Sequence, residues 1–380
     1  MIPYGKHTVG EADIAAVVEV LQHQFLTQGE QVPKFEQMLQ AYCQVKYALA
    51  VNSGTSALHV ACLALGVGEG DIVWTSPISF VASANCALYC GADIDFVDID
   101  PATRNLCIEQ LQQKLQRALK HNRLPKAIVV VHYAGLSCDM AAIRTLTQRY
   151  DIALIEDASH ALGGSYCNAA VGSCQYSDIT VTSFHPVKSI TTAEGGALLT
   201  NDNALYEQAV LFAKHGVTRD PAKMSGHNHG PWYYQQVELG YNYRMSDLHA
   251  ALGCSQLSQL DDFISARRNI ARYYLNALAE LPLHLPAASD TSAWHLFAVE
   301  LTQHCRHDVY RKLQQAGIGV NVHYIPIHLQ PYYQKLGFKK GYFPKAEAFY
   351  ESALTLPMYP GLQPEEQSKV IEQLSNILNT

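Results

Sequence analysis

The sequence predicts an α/β protein: a mostly parallel sheet covered by helices on both faces, followed by a smaller α+β domain. Three observations lead there. Short, almost uniformly apolar runs recur along the first two-thirds of the chain. Stretches with the i, i+3, i+4, i+7 period of an amphipathic helix separate them, and this alternation thins after about residue 245. The division expected is 1–245 for a large domain with an N-terminal arm and 246–380 for a small one.

The first helix is signalled by Thr8-Val9-Gly10-Glu11, a capping-box pattern, and by the stripe Ile14, Val17, Val18 and Leu21. A second carries Phe35, Met38, Leu39 and Tyr42. The expected strands are Tyr47–Val51, Asp71–Thr75, Ile94–Val97, Ala127–His132, Ile152–Glu156, Ile179–Phe184 and Ala197–Thr200, with helices such as Ala57–Leu65 and Cys107–Ala118 between them. Beyond 245 the spacing predicts helices at Ser246–Leu260, Phe263–Leu281 and Arg306–Ala316, and strands at Trp294–Leu301 and Ile318–Tyr324. A last helix has Val370, Ile371, Leu374, Ile377 and Leu378 on one face.

Composition bounds the function. The 380 residues are 48% apolar and 16% charged, which excludes a disordered chain. A formal charge of −7 without basic runs argues against nucleic acid. No apolar stretch approaches a membrane span and no signal-peptide pattern opens the chain, so a cytoplasmic protein is expected, with no membrane partner. Ten cysteines form no C-x-x-C pair and read as thiols packed as small hydrophobes. Two histidine pairs, His227 with His229 and His323 with His328, lack the acidic third ligand or the spacing of a metal site, so no metal is expected.

In an open parallel sheet, ligands bind beyond the carboxyl ends of the strands. Three such junctions are informative. Asn52-Ser53-Gly54-Thr55-Ser56 is a small-residue turn opening into a helix, suited to a phosphate through backbone N–H groups and the Thr55 and Ser56 hydroxyls, or to an ordinary N-cap. Glu156-Asp157-Ala158-Ser159-His160 places acids at a strand terminus, where they serve either a cap or a cationic ligand atom. Ser183-Phe184-His185-Pro186-Val187-Lys188 and the following Glu194-Gly195-Gly196 suggest a lysine held in a cleft rather than solvated, and desolvation makes an amine a usable nucleophile. Together, a phosphate cradle, a strand-end carboxylate and a cleft lysine are what pyridoxal 5′-phosphate requires. Phe80, after the second strand, either stacks on the ring of that cofactor or packs in the core.

With Phe25-Leu26-Thr27-Gln28-Gly29 and Gly240-Tyr241-Asn242-Tyr243-Arg244-Met245-Ser246-Asp247, these motifs resemble the DegT/DnrJ/EryC1/StrS sugar-nucleotide aminotransferases over essentially the whole chain. The resemblance implies the fold-type I architecture, a mostly parallel seven-stranded sheet plus a small C-terminal α+β domain, and a homodimer with shared active sites. It implies Lys188 as the Schiff-base lysine, Asp157 against the pyridinium nitrogen, and His160 beside the ring where many relatives carry Gln. Thr55, Ser56 and Ser183 would hold the phosphate, with Asn242 from the neighbouring subunit. Tyr4, Gln24, Phe25, Leu26, Thr27, His185, His323 and Tyr324 would face the substrate.

A narrower likeness, carried by Ile2-Pro3-Tyr4-Gly5, Ser76 through Ala82 and Ser183 through Lys188, is to the branch serving pseudaminic acid synthesis. It implies a UDP-linked 4-keto-6-deoxy-N-acetylhexosamine as acceptor and L-glutamate as donor. Other 3- or 4-keto nucleotide sugars, and a non-catalytic effector-sensing protein on the same scaffold, are the competing expectations.

Overall fold

The computed structural model describes residues 1–379. Its centre is a seven-stranded sheet made of β1 (Tyr47–Val51), β2 (Ile72–Thr75), β3 (Asp93–Phe96), β4 (Ala127–Val131), β5 (Ala153–Asp157), β6 (Ile179–Ser183) and β7 (Gly196–Thr200). Their spatial order is β1-β7-β6-β5-β4-β2-β3, and β7 alone runs antiparallel to its neighbours. The mostly parallel sheet expected from the sequence is therefore present, and each of its seven strands falls within a residue of its expected place; the strand expected at Trp294–Leu301 begins only at Phe297.

Helices α1 (Glu11–His23) and α2 (Gln31–Cys43) precede the sheet. Between and after its strands come α3 (Gly54–Ala64), α4 (Ala82–Tyr89), α5 (Ile108–Lys120), α6 (Met140–Gln148) and α7 (Asn203–Ala213). Apart from β3, where Asp93 is exposed and Asp95 partly so, the strands are buried on both sides. One face packs on α3, α4 and α7 through residues such as Leu58, Ala84 and Ala209, and part of the other on α5 and α6 through Leu111, Leu115 and Ile143. Two-sided burial explains why these strands read as continuous apolar runs without alternation.

After α8 (Asp247–Leu257) and α9 (Leu260–Ala277), a three-stranded antiparallel sheet forms from β8 (Leu283–His284), β9 (Phe297–Leu301) and β10 (Ala353–Leu356). Helices α10 (Arg306–Gln315), α11 (Pro331–Lys335), α12 (Pro344–Ser352) and α13 (Pro364–Leu378) complete the chain. Phe297, Val299, Leu313, Leu354, Val370 and Leu374 share a second core there. Helix α8 instead buries Ala250, Cys254 and Leu257 against Phe35 and Leu39 of α2.

Three local expectations are corrected. Residues 318–324 do not form a strand: Ile318 bridges only Ile2, and Asn321 bridges only Thr355. The segment steps from the N-terminal arm to β10 and then turns its last residues inward, so no continuous ladder develops. The cap of α1 is Gly10, whose N–H donates to Asp13 Oδ2 at 2.9 Å, and not a box beginning at Thr8. The expected apolar stripe of α1 also faces outward, with Ile14, Val18 and Leu21 exposed while Asp13 and Val20 are buried. Asp13 tolerates this because Gln256 Nε2 and Gln259 Nε2 donate to its two oxygens at 2.7 and 3.2 Å.

All ten cysteines are free. Cys43, Cys62, Cys86, Cys138, Cys174 and Cys254 are buried as expected, but Cys167 and Cys305 are exposed. Cys167 sits at φ 48° in the tight turn between two-residue strands at 165–166 and 169–170, where burial is not available. Among the described residues no helix is long and apolar enough to cross a membrane.

Candidate active site

The carboxyl ends of β1, β4, β5 and β6 all open into one cavity of about 440 Å³. It is closed from the other side by Tyr4 of the N-terminal arm and by His295, His323 and Tyr324 of the C-terminal third.

The wall after β1 is the start of α3. Ser53 is its N-cap, accepting from Ser56 N at 3.0 Å, and Ser53, Gly54 and Thr55 of this helix start line the cavity. This turn lies close against its neighbours. A Cβ at Gly54 would meet Ser183 Cβ at 2.9 Å, and one at Gly196 would meet Gly54 N at 2.5 Å. The glycines therefore let β7 and the end of β6 approach the α3 start, which puts the Ser183 side chain on the same cavity.

The floor is the end of β5. Successive strand residues point to opposite faces, so only one of the adjacent acids enters. Asp157 lines the cavity, and Glu156 turns away to His132 Nε2 at 2.8 Å and to the Ser177 hydroxyl. Asp157 is 5% exposed and held on both oxygens: Ser83 Oγ donates to Oδ2 at 2.6 Å, and Ser159 N and Oγ donate to Oδ1 at 3.1 and 2.6 Å. Ser79 Oγ lies 2.7 Å behind Ser83 Oγ, extending the chain of hydroxyls.

Lys188 follows β6 by five residues and also reaches the cavity. Burial pulls its amine down to about 8, with nearby Arg267 pushing the same way and Asp157 opposing. Arg267 is itself buried, its Nη1 donating to the carbonyls of Trp294, His295 and Met358.

Opposite stands a group of neutral rings. His160 Nε2 is 3.0 Å from Tyr324 OH, and its ring centroid is 4.4 Å from that of His295. Burial, followed by the charge of Lys188, holds His160 well below the ordinary histidine value. Burial does the same for His295, with His160 and Lys188 adding to it. His323 is pushed down to about 4 by burial and Lys188, and its Nδ1 lies 3.0 Å from Thr355 Oγ1. The Nδ1 atoms of His160 and His295 are buried without a partner, polar positions suited to a ligand.

Of the residues singled out in the sequence, the cavity gathers Tyr4, Thr55, Phe80, Asp157, His160, Ser183, His185, Lys188, His323 and Tyr324. Phe80 is 59% exposed at its wall and not part of the core. The remaining ones lie elsewhere in the single chain. Ser56 is buried, its hydroxyl donating to Asn52 Oδ1 at 2.6 Å. Gln24, Phe25, Leu26 and Thr27 are exposed beside α8, where Leu26 O accepts from Asp247 N and Gly29 N donates to Asp247 Oδ2. Asn242 is exposed, its carbonyl accepting from Asn52 Nδ2 at 3.4 Å. The sequence reading missed Ser53, Ser79, Ser83, Ser159 and His295. Ser83 is 74 residues from the carboxylate it serves, and His295 sits in an apolar run with no local signal.

A helix start with hydroxyls, a fixed carboxylate and a desolvated amine fit a phosphorylated pyridine aldehyde, and unpartnered imidazole nitrogens line the space between. The family model of the DegT/DnrJ/EryC1/StrS aminotransferase family matches residues 7–375. The chain belongs to that family. Two relatives span nearly all of it. The spore coat polysaccharide biosynthesis protein SpsC of Bacillus subtilis is 37% identical over 99% of this chain and 97% of its own length. The UDP-4-amino-4,6-dideoxy-N-acetyl-beta-L-altrosamine transaminase of Campylobacter jejuni is 37% identical over 100% and 98%.

Among solved structures, Helicobacter pylori PseC, an aminotransferase involved in the biosynthesis of pseudoaminic acid, superposes with a TM-score of 0.92 at 32% identity, covering 100% of this chain and 99% of that one. NtdA of Bacillus subtilis, solved with bound cofactor PMP, gives 0.86 at 29% identity over 98% and 83%. This aminotransferase thus uses pyridoxal phosphate and acts on a sugar.

Proposed function

We propose that this aminotransferase moves the amino group of L-glutamate to C4 of a UDP-linked 4-keto-6-deoxy-N-acetylhexosamine, the amination step of pseudaminic acid synthesis, and that it works as a homodimer. The observation that carries the catalytic part is the Lys188 amine, lowered to about 8 within a cavity whose floor is the Asp157 carboxylate. The relative named for the altrosamine product, similar along its whole length, supports the choice of substrate.

Thr55, Ser183 and the first turn of α3 would hold the cofactor phosphate, Asp157 the ring nitrogen, and Lys188 the aldehyde carbon. Bound there, the cofactor supplies an electron sink for the carbanion at the donor carbon and carries the amino group between donor and acceptor. The rest belongs to the chain. Asp157, fixed by three donors from Ser83 and Ser159, keeps a proton on the ring nitrogen. Lys188 Nζ, uncharged at mildly basic pH, takes the α-proton of glutamate and later returns a proton to sugar C4, so one base serves both halves. The aromatic wall of Tyr4, Phe80, His323 and Tyr324 excludes water from that transfer.

Two features support the dimer. Lys188 is the only lysine or arginine among the lining residues and is taken up by the cofactor, so the carboxylates of glutamate and the diphosphate of the nucleotide call for cations from a second copy. Exposed apolar residues also cluster on α1 and just after it (Ile14, Leu21, Phe25) and again before Asn242 (Trp232, Tyr234, Leu239).

The second reading is a different keto nucleotide sugar as acceptor; SpsC, equally similar, is named for spore coat polysaccharide biosynthesis and not for the altrosamine product. Purified enzyme incubated with glutamate and a panel of UDP- and dTDP-linked 3- and 4-keto sugars, with products identified by mass spectrometry, separates the two. Preferential amination of the UDP-linked N-acetyl 4-keto sugar is expected; preference for a dTDP-linked or 3-keto sugar would replace it.

A further inference from the structure

A second cavity lies at the free edge of the main sheet. Strand β3 pairs only with β2, and its outer side, together with α5 and the segment 342–345, encloses about 730 Å³. It shares no residue with the catalytic cavity. Its walls hold Trp74, Phe96 and Phe343, with the 54% exposed ring of Tyr342 at the rim.

The charge of this groove is unlike that of the chain. Lys114, Arg117, Arg123 and Lys345 line it against only Asp95 and Asp98, in a protein of formal charge −7. Lys114 and Arg117 lie at i, i+3 on one face of α5, and His121 is its C-cap. Part of the arrangement has a purely structural explanation. Lys114 Nζ sits 2.6 Å from Asp95 Oδ2, 4.7 Å from the Trp74 ring centroid, and donates to Phe96 O. Charged side chains laid across an edge strand in this way block pairing with another chain. Arg123 pairs with Asp93 at 2.9 Å, and Asp98 is used by the N–H groups of Lys345 and Ala346 at the start of α12.

Edge protection leaves two cations unexplained. Arg117 and Lys345 have no hydrogen-bonded or ionic side-chain partner among the described residues, yet both line the concavity from its solvent-exposed side. The charge of Arg117 also acts against that of half-buried Lys114. Like charges held over a concave apolar floor are relieved by an anion, and Coulomb attraction is stronger there than on an open surface. The geometry points to this groove as a second binding site, for a phosphate-bearing dianion held by the charges of Arg117 and Lys345, in a lining that also includes Lys114 and Tyr342.

Calorimetric titration of the full-length holoenzyme with inorganic pyrophosphate tests this, comparing the native chain with the double variant Arg117→Ala, Lys345→Ala. Both side chains are solvent-facing and remote from the catalytic cavity, so unchanged turnover is expected and certifies the fold. Pyrophosphate affinity should fall by about tenfold or more in the double variant, the scale of two charge-assisted contacts. A parallel titration with UDP, read as the difference between the native chain and the variant, identifies the source of the phosphate. An equal difference means phosphate alone is recognised, and a larger one means that the nucleoside adds contacts. Equal pyrophosphate affinity in both proteins, no detectable binding at millimolar pyrophosphate, or loss of turnover in the variant would each overturn the assignment.

Discussion

At the scale of single residues the proposed chemistry rests on what surrounds Lys188 and Asp157. With burial bringing the amine to about 8, the fraction of Lys188 free to attack an aldehyde rises with pH and levels off above that value. An unburied lysine would go on gaining up to about 10.4. The rate at which cofactor-free protein is reconstituted by pyridoxal phosphate, followed by absorbance against pH, should therefore plateau above about 8; a rate still climbing at pH 10 would mean that the amine is solvated. Ser83 offers a second check. Ser83→Ala removes the donor to Asp157 Oδ2 from a buried carboxylate, a loss of about 1.5–3 kcal/mol for a hydrogen bond to a charged group. Equilibrium dialysis should show cofactor affinity weakened about tenfold or more, with the fold retained by circular dichroism.

At the scale of elements, the strands and the helices that cover them were legible because two-sided burial makes β1, β2, β4 and β5 plainly apolar and leaves the period of α2 and α5 undisguised. The Lys188, Asp157 and α3 junctions followed because function in such a sheet sits at strand ends. What stayed hidden depends on partners distant in sequence. The outward stripe of α1 looked like a core face, since periodicity reports amphipathicity and not which side is covered. The run 318–324 looked like a strand, yet its residues bridge two different neighbours in turn. Ser83 and His295 acquire roles only when α4 and the C-terminal third reach the end of β5.

The glycine pair between α3 and β7 gives a prediction at this scale. A Cβ at Gly196 would meet three backbone atoms of Ser53 and Gly54 within 2.6 Å, which no rotamer relieves. Gly196→Ala should displace the α3 start and abolish cofactor binding, measured by absorbance of the reconstituted protein. Leu39→Ala in α2, a fully buried position away from the site, should cost about 2–5 kcal/mol of stability in chemical denaturation while leaving the cofactor bound.

At the scale of the whole molecule, the chain places a nearly complete cofactor site in a cavity poor in cations and leaves apolar side chains on α1 and in the segment before Asn242 uncovered. The proposed second copy would answer both. Ile14→Asp with Leu21→Asp should shift the protein from dimer to monomer in sedimentation velocity and reduce turnover in parallel; a fully active monomer would remove the shared-site account.

The central claim, that Lys188 drives transfer of an amino group from glutamate to a sugar, is tested most directly by isotope. Holoenzyme incubated with ¹⁵N-glutamate and the UDP-linked 4-keto-6-deoxy-N-acetylhexosamine should yield a 4-amino sugar carrying ¹⁵N by mass spectrometry. Lys188→Arg should yield none and lose the visible absorbance of the lysine-bound cofactor. Labelled product formed at a comparable rate by the variant, or no labelled amino sugar from the native enzyme with any keto nucleotide sugar, would contradict it.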